Sequence, residues 1–349
     1  MPLRTDTVPS GRIPSSTAGR WVFPARRQGT VRKHIRRPAF ALLLILCIGC
    51  SFPVHAADGL WLVLSRSGGA YAEFASAFRD EATHHAHNVP DIRVVPLDDL
   101  SVELSAASAT GGPGVIVSVG TSAARAIAKL RPERPVLYAL VPRSTYATLM
   151  SQYPGPSDNS ALYIDQPYER QLELAKLAVP NAKRVGVLLG PTSRAGRTAL
   201  TRAALRSGLR LVVHEITDPS QLIDQLSNLL ERSDVFLAIP DPLVSNQRTA
   251  PNILLTTYRY RRPVIAYSRA YVRAGALCAV YSTPRQLGAQ AYGLAAKMLA
   301  DNPGNHVAPQ YPRQFDIRFN EYVARSLTLP IPDIEALKRR LLNREGVKR

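Results

Sequence analysis

From residue 60 onward, apolar runs of strand length alternate with segments of helical period. "LWLVLS" (60–65) precedes a segment with Tyr71, Phe74, Ala75 and Phe78 on one helical face, then come "IRVVPL" (92–97) and "GVIVSVG" (114–120) with a helix over 121–130. "PVLYALV" (135–141) and "ALYID" (161–165) complete this set. Strands that are apolar throughout are covered on both faces, which predicts a parallel sheet between helices. The stretch "YPGPSDNSALYID" (153–165), with two prolines and a glycine, reads as a boundary.

The same rhythm then restarts. A helix over 167–179 carries Leu172, Leu174 and Leu177, and is followed by "RVGVLLG", a helix over 193–207, "LRLVVHEI", a helix over 220–232, "VFLAIP" and "RPVIAY". A further strand and a long Ala-rich helix occupy 275–303, and a strand, a short helix and a basic terminal helix occupy 314–342. The pattern predicts an α/β protein of two Rossmann-like lobes. Ligands of open parallel sheets bind outside the carboxyl ends of the strands, so two such sheets facing each other predict a cleft.

Charge changes this picture only at the N-terminus. The chain of 349 residues has a formal net charge of +18, but residues 1–37 hold nine Arg/Lys against one Asp. The 35 basic and 25 acidic residues beyond them are dispersed, which argues against a nucleic-acid stripe. The basic cluster at 32–37 precedes the apolar run Ala39 to Gly49 and the small-residue site Val54-His55-Ala56, the order of a secretory signal cleaved near Ala56. That run is too short to span a bilayer, which needs about 20 apolar residues. The Pro-, Ser- and Arg-rich stretch 1–30 is long for such a signal and suggests a translation start downstream of Met1. An alternative processing site is Cys50 after Gly49, which resembles a lipoprotein signal except that Cys47 stands where Leu is usual. Removal of Cys47 and Cys50 leaves Cys278 in "ALCAVY", a core position by its surroundings and without a disulfide partner.

Several segments together carry a family resemblance: "VGTSAARA" (119–126), "QLELAKLAVPNAKRVGVLLGP" (171–191), "AIPDPLVS" (238–245), "RPVIAYSRAYVRAGALCAVYSTPRQLGAQAYGLAAKML" (262–299) and "FDIRFNEYVARSLTLPIP" (315–332). In order and spacing the chain resembles the ABC-transporter substrate-binding proteins of the tryptophan/tyrosine-binding kind. The resemblance implies the type I periplasmic-binding-protein fold, three hinge crossings, closure on a small molecule and delivery to an ABC permease. It implies lobe 1 from 57–165 plus about 277–303, and lobe 2 from 166–276 plus about 304–349, after an extension and signal over 1–56. Where the family usually has Asp-Pro after the fourth strand, "ALVPRSTY" supplies Pro142, Arg143 and Ser144. Losing an acid and gaining a guanidinium shifts the expected preference from an amine toward an anion.

The expected site residues stand at strand ends. Gly120 permits a tight turn, Thr121 or Ser122 can cap the following helix, and its free N–H groups attract anions; the plain reading is a capped helix. Ser65, Ser67 and the glycines after them form a second donor-rich loop, and Thr192 with Ser193 its counterpart in the other lobe, although turns contain such residues anyway. Asp241 could fix an ammonium or hydroxyl group, or simply initiate the turn before Pro242. Tyr267, Ser268 and Tyr281 could wall the ligand or pack. The cluster His84, His85 and His87 lies at a helix end away from the cleft, where His suits the dipole, so no metal is expected.

An enzyme is not expected. There is no G-x-G-x-x-G after the first strand, no P-loop, no G-x-S-x-G and no zinc spacing, and no cofactor is implied. The chain reads as a monomeric binding protein. A sensor that docks its closed form on a membrane signalling protein is an open alternative, whereas a repressor would need a helix-turn-helix where the export signal stands.

Overall fold

The structure is a computed structural model and describes residues 59–85, 89–110, 112–300 and 306–344. The expected signal, the Cys50 site and His87 lie outside the described residues.

The first sheet comprises β1 (Leu60–Leu64), β2 (Ile92–Pro96), β3 (Val115–Val119), β4 (Val136–Val141) and β5 (Ser160–Tyr163), in the order β2-β1-β3-β4-β5 and parallel throughout. β1, β3 and β4 are buried along their whole length, as their almost wholly apolar runs require, with Ser118 of β3 the buried polar exception, whereas edge strand β2 is half-exposed. One face packs on α1 (Ala70–His85) and the other on α3 (Thr121–Leu130), after α2 (Leu100–Thr110) has crossed between β2 and β3. α4 (Arg143–Gln152) follows β4. The β4/β5 register shifts between Ala139 and Val141, where Leu140 takes φ 53° and bulges at the strand's carboxyl end.

The second sheet repeats this order. β6 (Arg184–Leu189), β7 (Arg210–Glu215), β8 (Val235–Leu237), β9 (Val264–Ala266) and β10 (Cys278–Tyr281) stand in the order β10-β9-β8-β6-β7, and β11 (Asp316–Phe319) adds an antiparallel edge to β10. Its helices are α5 (Tyr168–Ala178), α6 (Arg197–Arg206), α7 (Leu222–Glu231), α8 (Ala250–Arg259) and α9 (Arg269–Ala274).

The expected return of the chain at about residue 277 is displaced. β10 occupies in the second sheet the place that β5 holds in the first, so Cys278–Tyr281 stays with lobe 2. α10 (Pro284–Leu299) passes to lobe 1, where Leu287, Ala291, Leu294 and Ala295 pack with Phe74 and Phe78 of α1, and further on Val307 packs against the same core while the Gln310 backbone pairs with Ala161 and Tyr163 of β5. Gly288 lies so close to α1 that a Cβ there would stand 2.3 Å from the Phe74 carbonyl oxygen. The chain then returns to β11, α11 (Glu321–Ser326) and α12 (Ile334–Arg344), which bury Phe315, Leu337 and Leu341 against lobe 2.

Three crossings therefore join the lobes: 164–167, 282–283 and the segment ending at 310–314. They are laced together. Gln166 Nε2 donates to Ser282 Oγ at 2.9 Å, and Ser282 Oγ donates to the Gln314 carbonyl at 2.6 Å. Arg170 Nη1 donates to Gln166 Oε1 and to the Pro312 carbonyl, and its guanidinium stacks 4.1 Å from the Phe315 ring. Arg170 and Gln166 are only 4% and 2% exposed, so these bonds replace water that cannot reach the hinge.

Candidate functional site

The loops at the carboxyl ends of both sheets meet across the crossings, and two cavities lie along them. The smaller, about 90 Å³, is built from both lobes: Arg143, Ser144 and Ala147 of α4 face Tyr168, Thr192 and Ser193, with Asp165, Gln166 and Tyr311 of the crossings between them. The larger, about 950 Å³, follows the lobe 1 edge from Ile164 and Leu140 past Ser65–Tyr71 to Pro96–Asp98, and reaches Ser282 and Leu287. Neighbouring residues of the β4 and β5 tips thus face different cavities: Leu140 and Ile164 the larger, Arg143 and Asp165 the smaller.

In the smaller cavity Arg143 is the one lining cation, and its exposed guanidinium donates to Tyr311 Oη at 3.2 Å. Burial opposes its charge, but the Tyr311 bond and the surrounding phenols of Tyr311, Tyr168 and Tyr163 outweigh this and hold its pKa above the usual value. Among the described residues it forms no ion pair. Asp165, the cavity's acid, spends Oδ2 on the Arg143 backbone N–H at 2.6 Å, at the start of α4. Burial pushes the Asp165 carboxyl upward, partly offset by backbone hydrogen bonds and by the Arg143 charge. Burial likewise pushes Tyr163 and Tyr168 up to about 12, so both are neutral hydroxyls at physiological pH. Gly196 lies close under Tyr168 on the lobe 2 side: a Cβ there would stand 2.3 Å from Tyr168 Oη and the ring would have to shift.

The expected residues divide between the cavities and their support. Ser65 and Ser67 line the larger cavity; Arg143, Thr192 and Ser193 line the smaller. Ser193 is 5% exposed, and its Oγ accepts from the Gly190 N–H, so its hydroxyl holds the loop.

The Gly120-Thr121-Ser122 turn lines neither cavity. Gly120 itself is the N-cap, with φ 92° and ψ 168°, and the expected Thr121 or Ser122 cap is not formed. The Ala123 N–H instead donates to Ser65 Oγ at 2.9 Å, and a Cβ on Gly120 would stand 2.6 Å from Tyr71 Cε1. The first loop thus covers the helix end that the sequence suggested for an anion.

Asp241 is 3% exposed and lines neither cavity. Its Oδ2 accepts from the Ser193 N–H, and its Oδ1 from the Leu243 and Val244 N–H groups. It therefore ties the 190–193 loop to the β8 tip, closer to the turn reading than to a ligand contact. Ser268 caps α9 through the Tyr271 N–H, and Tyr267 donates to the Ser245 carbonyl at 2.9 Å while its ring meets Tyr271 edge-on. Tyr281 pairs with Asp316 at the end of β10 and packs against the lobe 2 core. These three support lobe 2 rather than line a cavity.

Sequence reasoning passed over Tyr168, Tyr311 and Gln166 as site residues. Their signal was the crossings themselves: each lies within or beside a segment that joins the lobes, and only tertiary contact shows that Tyr311, 168 residues from Arg143, meets it. His84 is exposed near the end of α1, and no group of three or more metal-ligating side chains occurs among the described residues.

Two mostly parallel sheets of matching strand order, facing each other across three crossings, define a two-lobed architecture. The family model described as ABC transporter substrate binding protein matches residues 102–339, more than half of the chain. The chain belongs to the ABC transporter substrate-binding protein family. A tyrosine-binding protein of Clostridioides difficile is 23% identical over 219 residues, which are 62% of this chain and 63% of that protein; the match therefore spans less than two thirds of that relative. The ligand-free, open structure of a substrate-binding protein with adhesive properties from Clostridium difficile is similar at TM-score 0.63 and 22% identity, covering 80% of this chain and 97% of that one. An ABC domain in complex with L-Trp from Streptococcus pneumoniae is similar at TM-score 0.55 and 16% identity, with coverage of 80% and 97%. The fold is the type I periplasmic-binding-protein fold, as the resemblance implied.

Proposed function

We propose that this protein is an exported, non-catalytic solute-binding protein that captures a small polar ligand, amino-acid-like or anionic, and delivers it to an ABC permease. The observation that carries this reading is the smaller cavity, whose walls come from both lobes and whose floor is the laced hinge. A ligand there touches α4 of one lobe and the 192–193 loop of the other at once, so binding favours the closed arrangement by its differential contacts. The names of the relatives, tyrosine-binding and L-Trp-bound, support an amino-acid-like solute. The basic and apolar segment over 32–49 supports export, with cleavage near Ala56 or a lipid anchor on Cys50. The mature protein acts as a monomer and needs no cofactor.

The test is native mass spectrometry of residues 57–349 for a co-purified small molecule, followed by a thermal-shift screen of amino acids, nucleosides and organic acids. A bound species released on denaturation, or a melting temperature that rises with ligand concentration as mass action requires, supports the reading. Turnover of a small molecule without stable binding would refute it.

A further inference from the structure

The ligand class can be narrowed by the charge balance of the smaller cavity, on the reading of the cleft as the solute site. We infer that the space between Arg143 and Thr192 takes an oxyanion of the solute, a carboxylate or phosphate with no ammonium beside it, so that net-anionic solutes are preferred over zwitterionic ones.

Three observations carry this. The first is that the cavity holds a cation with unused donors. The Arg143 guanidinium is exposed to the cavity and meets only the neutral Tyr311 hydroxyl, leaving most of its five N–H donors free for a planar oxyanion. Asp165 stands beside it, but its bonded oxygen accepts from the Arg143 backbone N–H, and among the described residues the two side chains form no ion pair, so the guanidinium donors stay open to a ligand. The second is the company of that cation: hydroxyls of Ser144 and Tyr311 on one side and of Tyr168 and Thr192 on the other. Hydroxyls donate to an oxyanion whichever lobe they belong to, so an anion bridges the lobes, whereas an ammonium at the same place would face the guanidinium directly.

The third is size. At about 90 Å³ the cavity is smaller than the roughly 150 Å³ apolar cavity that admits benzene. It has room for a carboxylate or phosphate. The remainder of a solute has room in the 950 Å³ cavity beyond the β4 and β5 tips, whose walls include Leu64, Val94, Leu97, Leu140 and Ile164.

Binding of five probes to residues 57–349 would be measured by calorimetry: succinate and L-glutamate as net-anionic carboxylates, glycerol 3-phosphate as a phosphate, and L-tyrosine and L-tryptophan as net-neutral zwitterions. The expected result is that an anionic probe binds best, and which one distinguishes carboxylate from phosphate. Arg143→Gln should weaken that probe by about 10- to 100-fold, as loss of hydrogen bonds to a charged group requires. Tyr311→Phe, which leaves the charge and removes its tether, should weaken it by a smaller factor.

If L-tyrosine or L-tryptophan binds best and Arg143→Gln changes its affinity less than about threefold, the inference is overturned while the solute-binding reading stands. If no probe binds and no small molecule co-purifies, both fall together.

Discussion

The Ala123 backbone nitrogen lies 2.9 Å from the Ser65 hydroxyl oxygen, across two loops that end different strands. The helix start after β3 is therefore capped from outside its own segment. Ser65→Ala should destabilise the protein by about 1 kcal/mol, the usual worth of an N-cap hydroxyl. Gly120→Ala should cost about 1–3 kcal/mol or more, because φ 92° with ψ 168° is open only to glycine and the added carbon meets Tyr71 and Ser65. Denaturant titration of both variants checks this; a Gly120→Ala protein as stable as the parent would refute the packing described.

Asp241 holds three backbone N–H groups, and its side chain has no role at either cavity wall. Asp241→Asn should lower stability by about 1–3 kcal/mol, since an amide nitrogen then faces a backbone donor. Were Asp241 a ligand contact instead, the same change would lower affinity and leave the melting temperature of the free protein in place.

Arg170 links the first crossing to the third through Gln166 and Pro312. Arg170→Met keeps an apolar stem over Phe315 and removes both bonds, so it should cost about 1–3 kcal/mol. It should also change the radius of gyration of the ligand-free protein, measured by small-angle X-ray scattering, because the crossings lose their common tether. A variant with unaltered scattering and melting would remove Arg170 from the hinge.

The pH response of Asp165 has a definite sign. Burial raises its pKa above the ordinary 3.8, and its carboxyl faces Arg143 from α4, Tyr163 from β5, Tyr168 from α5 and Tyr311 from the third crossing. The native state thus retains a proton that the unfolded chain releases. This contribution is present below the unfolded value and is lost as pH rises through the folded one. Asp165→Asn keeps an acceptor for the Arg143 N–H and cannot ionise, so its stability relative to the parent should grow as pH rises from about 4 toward neutrality. A gap independent of pH would show that Asp165 ionises as freely in the native state as in the unfolded chain.

Cys278 is completely buried in β10, and burial pushes its thiol up and away from the reactive thiolate. Native protein of residues 57–349 should resist a thiol reagent at neutral pH, and labelling should follow unfolding as denaturant is added. Stoichiometric labelling without denaturant would place that strand in an opening segment.

Sequence alone determined what local chemistry dictates: which segments are strands, that both sheets are mostly parallel, and that the loops at strand ends carry hydroxyls and Arg143. Those features follow from periodicity and burial, which each segment carries in its own residues. The tertiary structure decided partnership. Ser65 took the cap expected of Thr121 or Ser122, Asp241 turned its carboxylate onto three backbone amides, and β10 paired with β9 in the second sheet, in the place β5 holds in the first. The meeting of Arg143 with Tyr311 was likewise invisible in the linear chain, since contacts across 168 residues depend on which surfaces the folded lobes bring within hydrogen-bond reach, and no local pattern records that.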